Sequence, residues 1–81
     1  MERNRPKIFL VLPCYNEADA LPQTLRRLTA LLDRLSTEGK IAAKSAILCV
    51  DDGSTDTTWS IITGGASLTP RITGLRLARN C

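Results

Sequence analysis

The chain has 81 residues, 43% hydrophobic and 23% charged, with eleven basic residues against eight acidic ones and a net charge of +3. That length allows one domain with a thin core, and the composition is globular rather than disordered. The basic residues are scattered apart from Arg3, Arg5 and Lys7, which describes solvated faces rather than a nucleic-acid footprint, and the absence of histidine removes the commonest general base and metal ligand.

The first predicted element is a strand over Lys7–Pro13, "KIFLVLP", a short continuous apolar run of the kind buried on both faces of a parallel sheet. The five apolar residues Ile8–Leu12 are too few for a signal-peptide core, and Pro13 is expected to end the strand because it has no N–H to donate. A loop, "CYNEADA", leads to a helix from about Ala20 to Ser36, where Pro22 suits the first turn. Leu21, Leu25, Leu28, Leu32 and Leu35 form one apolar stripe, and Gly39 in "STEGK" closes the helix. A second buried strand covers Ser45–Val50. Ser54 or Thr55 then caps a short helix through about Ile62, with Gly64 and Gly65 as its stop. A third strand runs from about Arg71 to Leu77, weakened by Gly74. The order β-α-β-α-β implies right-handed crossovers and a parallel sheet, in the order 3-2-1. No apolar run approaches the roughly 20 residues of a membrane-spanning helix.

Ligands of open α/β sheets bind outside the carboxyl ends of the strands. Two loops belong to that edge, "PCYNE" after the first strand and "DDGST" after the second, so neighbouring strands would bring Tyr15, Glu17, Asp51 and Asp52 into one crevice. An aromatic face there can stack on a planar base, and a carboxylate can accept its N–H. Two adjacent carboxylates repel, and a divalent cation would remove that repulsion. Taken singly, these residues also have plainer readings. Asp-Asp-Gly-Ser serves as a strand-end turn, Tyr15 packs half-buried, Asn16 makes a turn hydrogen bond, and Cys14 and Cys49 are small core residues. Cys14, Cys49 and Cys81 fit neither a zinc spacing nor a disulfide framework, and a reducing compartment is expected. No lysine follows Gly53 as a phosphate-binding loop requires, and no G-x-G-x-x-G follows either strand. The aspartates two apart of haloacid-dehalogenase phosphatases are also lacking, because Gly53 lies two after Asp51.

The blocks "VLPCYNEADALPQTL", "ILCVDDGSTDTT" and "ITGLRLARN" resemble, in order and spacing, the opening blocks of the family 2 glycosyltransferases, which include dolichyl-phosphate mannose synthases and bacterial polyprenyl-phosphate sugar transferases. The resemblance implies a three-layer, Rossmann-like GT-A fold and inverting transfer of a sugar from a nucleotide sugar, a UDP- or GDP-sugar, with Mg²⁺ or Mn²⁺. Carried over by position, Pro13, Tyr15 and Glu17 line the nucleoside pocket, with Tyr15 against the base. Val50 adds backbone contact, Asp52 bonds the base or ribose, and Asp51 orders the loop and its neighbours. The family's metal-binding D-x-D follows the "ARN" block, and no aspartate follows Asp56 here. Residues 1–81 are therefore expected to be the N-terminal part of a single nucleotide-binding domain. Alone it should lack transferase activity, and its uncovered sheet should favour homo-oligomers. A polyprenyl-phosphate acceptor and a place in the cytoplasm, at the cytoplasmic face of a membrane, also follow from the resemblance alone. The alternative is a non-catalytic α/β fragment that only folds or associates.

Overall fold

In the computed structural model, residues 5–77 are described; Arg3, the "ARN" of the third block and Cys81 lie outside them. The elements are β1 (Phe9–Cys14), α1 (Leu21–Thr37), β2 (Ala46–Asp51), α2 (Thr58–Leu68) and β3 (Ile72–Arg76). The three strands form one parallel sheet in the order β1-β2-β3, with Leu12 opposite Cys49, Cys14 opposite Asp51, and Asp51 opposite Arg76.

β1 does not stop at Pro13, as the sequence suggested, but continues through it to Cys14. The reason is the edge position of the strand. Ala46 donates its N–H to the Ile8 carbonyl at 2.8 Å and Asp52 donates to the Cys14 carbonyl at 3.2 Å, so the even-numbered residues of β1 turn their backbone toward β2. Pro13, one residue out of that phase, turns its backbone to the open edge, where a missing N–H interrupts no ladder.

α1 buries Leu21, Leu25 and Leu32 of the expected stripe, with Leu28 and Leu35 half-buried beside them. Its end is a Schellman motif. Gly39 adopts φ +77° and donates to the Ser36 carbonyl at 3.0 Å, and Lys40 donates to Leu35 at 2.9 Å. α2 departs from expectation at both ends. Neither Ser54 nor Thr55 caps it; Thr57 precedes its first residue and makes no side-chain cap bond. The helix also runs straight through Gly64 and Gly65 to Leu68. Packing overrides propensity at Gly65, where a Cβ would lie 3.0 Å from Ile72 Cδ1 and 3.7 Å from Leu25 Cδ1. The helix ends where Thr69, extended at φ −145°, precedes Pro70.

Of the three layers expected, the described residues form two. Right-handed crossovers in the monotonic order β1-β2-β3 place α1 and α2 on the same face, where they touch each other. The core lies beneath them, with Ile47, Cys49, Ile62 and Ile72 meeting the α1 leucines. The sheet's other face carries Phe9, Val11 and Leu75, which are 56%, 63% and 47% exposed. Arg71 ties the assembly at its other end. Its Nε donates to Asp33 Oδ1 of α1 and its Nη1 to the Ser45 carbonyl, both at 2.6 Å.

Candidate functional site

The register that sets Cys14 opposite Asp51 makes the loops after β1 and β2 leave the sheet side by side. Asn16 is the first link between them. It takes the left-handed conformation, φ +50°, which asparagine tolerates better than most residues. In that pose its N–H donates to Ser54 Oγ at 2.9 Å, and its Oδ1 accepts the Thr55 N–H at 2.8 Å and the Thr55 hydroxyl at 3.3 Å. Next in the chain, the Glu17 N–H donates to Thr58 Oγ1 at 2.9 Å and the Ala18 N–H to Asp56 Oδ2 at 3.2 Å. Asp56 Oδ1 in turn accepts the Thr58 N–H at 2.8 Å and the Thr58 hydroxyl. These bonds hold the Asp56 carboxyl below its ordinary range, the Thr58 hydroxyl contributing most. The Glu17 carbonyl accepts the Leu21 N–H at 2.9 Å and so starts α1.

The two adjacent aspartates do not share a site. Successive strand residues point to opposite faces, so Asp51 turns under the helices with no exposed surface while Asp52 is exposed. The alternation itself separates the charges, and no cation is needed to keep them apart. Asp51 Oδ1 accepts the Ser54 N–H at 3.0 Å and the Ser54 hydroxyl, while Asp51 Oδ2 lies 3.8 Å from Arg76 Nε. Asp51 thus works inside its loop. Among the described residues no group of three His, Cys, Asp or Glu side chains is placed to hold a metal ion.

Of the other residues singled out from the sequence, Tyr15, at 51% exposure, Glu17 and Asp52 are exposed on the two loops. Pro13 is exposed and Val50 half-buried, opposite each other on the helix-free face. Cys14 and Cys49 are buried free thiols. Burial first, then the neighbouring Cys49, Glu17 and Asp51, push Cys14 up to about 12, and burial raises Cys49 as well, which leaves both inert. The linking roles of Asn16, Ser54, Asp56 and Thr58, and the pairing of Arg76 with Asp51, were not read from the sequence. The hydroxyl-rich "STDTT" was a partial signal, but its partners lie on the other loop. A cavity of about 580 Å³ between α1 and α2, bordered by Pro22, Leu25, Leu68 and Ile72, includes no residue of either loop.

The edge can therefore present one aromatic ring and acceptor oxygens to a planar ligand that carries N–H groups. Residues 9–80 match the model of the family described as "Glycosyl transferase family 2". The chain is 41% identical over 80 residues to "Uncharacterized glycosyltransferase YkoT" of Bacillus subtilis (strain 168), covering 99% of this chain and 24% of that protein. It is 38% identical over 60 residues to "Undecaprenyl-phosphate 4-deoxy-4-formamido-L-arabinose transferase" of Sodalis glossinidius (strain morsitans), covering 74% of this chain and 17% of the relative. The protein of the same description in Enterobacter sp. (strain 638) is also 38% identical over 60 residues, with 74% and 16% covered. The chain thus spans about a quarter or less of the length of these relatives.

Proposed function

Since the chain belongs to glycosyl transferase family 2, we propose that it forms the donor-nucleotide part of an enzyme that transfers a sugar, with inversion, from a UDP- or GDP-sugar. The observation that carries this reading is the pair of strand-end loops fastened to each other by Asn16, Ser54, Asp56 and Thr58, with Tyr15, Glu17 and Asp52 exposed on them. A site needs its ligand-facing groups fixed before the ligand arrives, because ordering them on binding subtracts from affinity.

In this reading Tyr15 stacks on the base, an interaction of about 1–3 kcal/mol where aromatic side chains stack on bases elsewhere. Asp52 accepts an N–H of the base or a ribose hydroxyl, and Glu17 lies on the same side. Pro13 and Val50 form the apolar wall. Asp51 holds the loop from within and makes no ligand contact. Exposed Glu17, Asp19, Asp52 and Asp56 make this edge acidic, so a diphosphate is directed away from it and the neutral nucleoside toward it.

The undecaprenyl-phosphate named in two of the relatives supports a polyprenyl-phosphate acceptor. A place in the cytoplasm, at the cytoplasmic face of a membrane, would suit such an acceptor; among the described residues no helix is long and apolar enough to cross a membrane. Calorimetric titration of the full-length protein with UDP and GDP, each with and without Mn²⁺, tests the proposal. Saturable binding of one nucleotide, lost in Tyr15→Ala, is the expected result. Heats of dilution alone for both nucleotides would leave an α/β segment that only folds or associates.

A further inference from the structure

Asp51 is fully buried, and its two oxygens are treated unequally. Oδ1 accepts the Ser54 backbone N–H and hydroxyl, whereas Oδ2 has no hydrogen-bond partner. A buried carboxylate with half of its acceptor capacity unanswered is costly unless a charge lies close. Among the described residues the cation within ion-pair range is Arg76, directly opposite on β3, with its Nε 3.8 Å from Oδ2. That separation is an ion pair and not a hydrogen bond. The Arg76 guanidinium also lies 5.6 Å from the centre of the Trp59 ring, which seats it against α2, and its side chain is 52% exposed.

From Asp51 the linkage continues across the sheet edge. Asp51 Oδ1 fixes the Ser54 hydroxyl, and Ser54 Oγ accepts the Asn16 N–H at 2.9 Å, one residue beyond Tyr15. The ends of all three strands are thereby joined through one buried carboxylate.

We propose that Arg76 is a positioning residue of the nucleoside site: its charge fixes Asp51, and Asp51 through Ser54 and Asn16 sets the place of Tyr15, without Arg76 touching the ligand. This rests on the nucleoside reading above. Arg76 sits on the far edge strand, so its effect on the base must pass through Asp51, and that makes the coupling measurable.

The experiment is nucleotide titration of the full-length protein and its Arg76→Met, Arg76→Lys, Asp51→Asn and Arg76→Met/Asp51→Asn variants, with UDP and GDP, each alongside a melting curve. Affinity is taken per folded molecule. Arg76→Met is expected to weaken binding about tenfold, Arg76→Lys to recover most of that loss, and Arg76→Met to add little once Asp51 is asparagine, the signature of one shared pathway. Unchanged affinity in Arg76→Met, whatever its melting temperature, overturns the proposal and leaves a purely structural ion pair. Equal weakening by Arg76→Met with and without Asp51→Asn also overturns it, because Arg76 would then act independently of Asp51. Should Asp51→Asn not fold, the comparison of methionine with lysine at position 76 decides alone. If the wild-type protein binds neither nucleotide, the nucleoside reading itself falls, an outcome distinct from the other two.

Discussion

Asp51 and Asp52 are consecutive carboxylates with separate tasks, one sealed under the helices and one at the surface. Replacing each by alanine should therefore give different results. Asp52→Ala is expected to weaken nucleotide binding by about 1.5–3 kcal/mol, the worth of a hydrogen bond to a charged group, with little change in melting temperature. Asp51→Ala should lower the melting temperature and weaken binding only indirectly, since it strips the Ser54 N–H and hydroxyl of their buried acceptor and so loosens Asn16 beside Tyr15. Titration and thermal melting on the same preparations separate the two. Asp56 offers a pH test. Its carboxyl is held below the ordinary aspartate value of 3.8, so its contribution to folding is complete above that value and is lost as pH falls through the lower folded one. The difference in melting temperature between wild type and Asp56→Asn should be constant well above pH 3.8 and shrink as pH falls through that value toward the lower folded one. A difference that acid leaves unchanged would show that the Thr58 and Ala18 bonds do not hold the charged form.

At the scale of elements, the two helix-layer contacts with glycine predict opposite signs for one substitution. A Cβ on Gly74 of β3 would stand 2.6 Å from Ile62 Cγ2 and 3.1 Å from Trp59 Cζ3, because α2 lies directly on the strand there. Gly74→Ala should cost about 1–3 kcal/mol as overpacking and shift the emission of Trp59, the chain's one tryptophan. A Cβ on Gly64 meets nothing within 4 Å, so Gly64→Ala should be neutral or stabilise α2 by up to about 1 kcal/mol. Chemical denaturation followed by fluorescence reads both. Equal effects at the two glycines would contradict the packing of α2 on β3.

For the whole molecule, two helices cover one face of the sheet and leave Phe9, Val11 and Leu75 in water on the other. Exposed apolar faces and open strand edges favour association. The 81-residue chain is expected to sediment as a dimer or larger species, and Val11→Lys, on the bare face of an edge strand, to shift it toward monomer. A wild-type monomer at tens of micromolar, on the order of concentrations where exposed apolar surface aggregates, would refute this. The same chain, which spans about a quarter or less of the length of its relatives, is expected to transfer no sugar by itself. Turnover above background by the purified 81-residue chain would show that its own residues suffice for catalysis.

The sequence by itself determined the element order, the α1 stripe, the Gly39 stop, the parallel sheet and the meeting of two loops at its carboxyl edge. These are properties of local spacing and chain topology, which periodicity, turn residues and the handedness of crossovers specify directly. Only the tertiary structure decided that β1 continues through Pro13, that α2 passes its glycines, and that Asp51 faces inward to Ser54 and Arg76 while Asp52 faces out. Each of those depends on a neighbour far along the chain: which side of β1 is the open edge, how closely Ile72 approaches Gly65, and which hydroxyl meets a buried carboxylate. A proline or glycine carries its intrinsic preference in the sequence, but the free energy that overrides it comes from contacts that exist only once the sheet has formed.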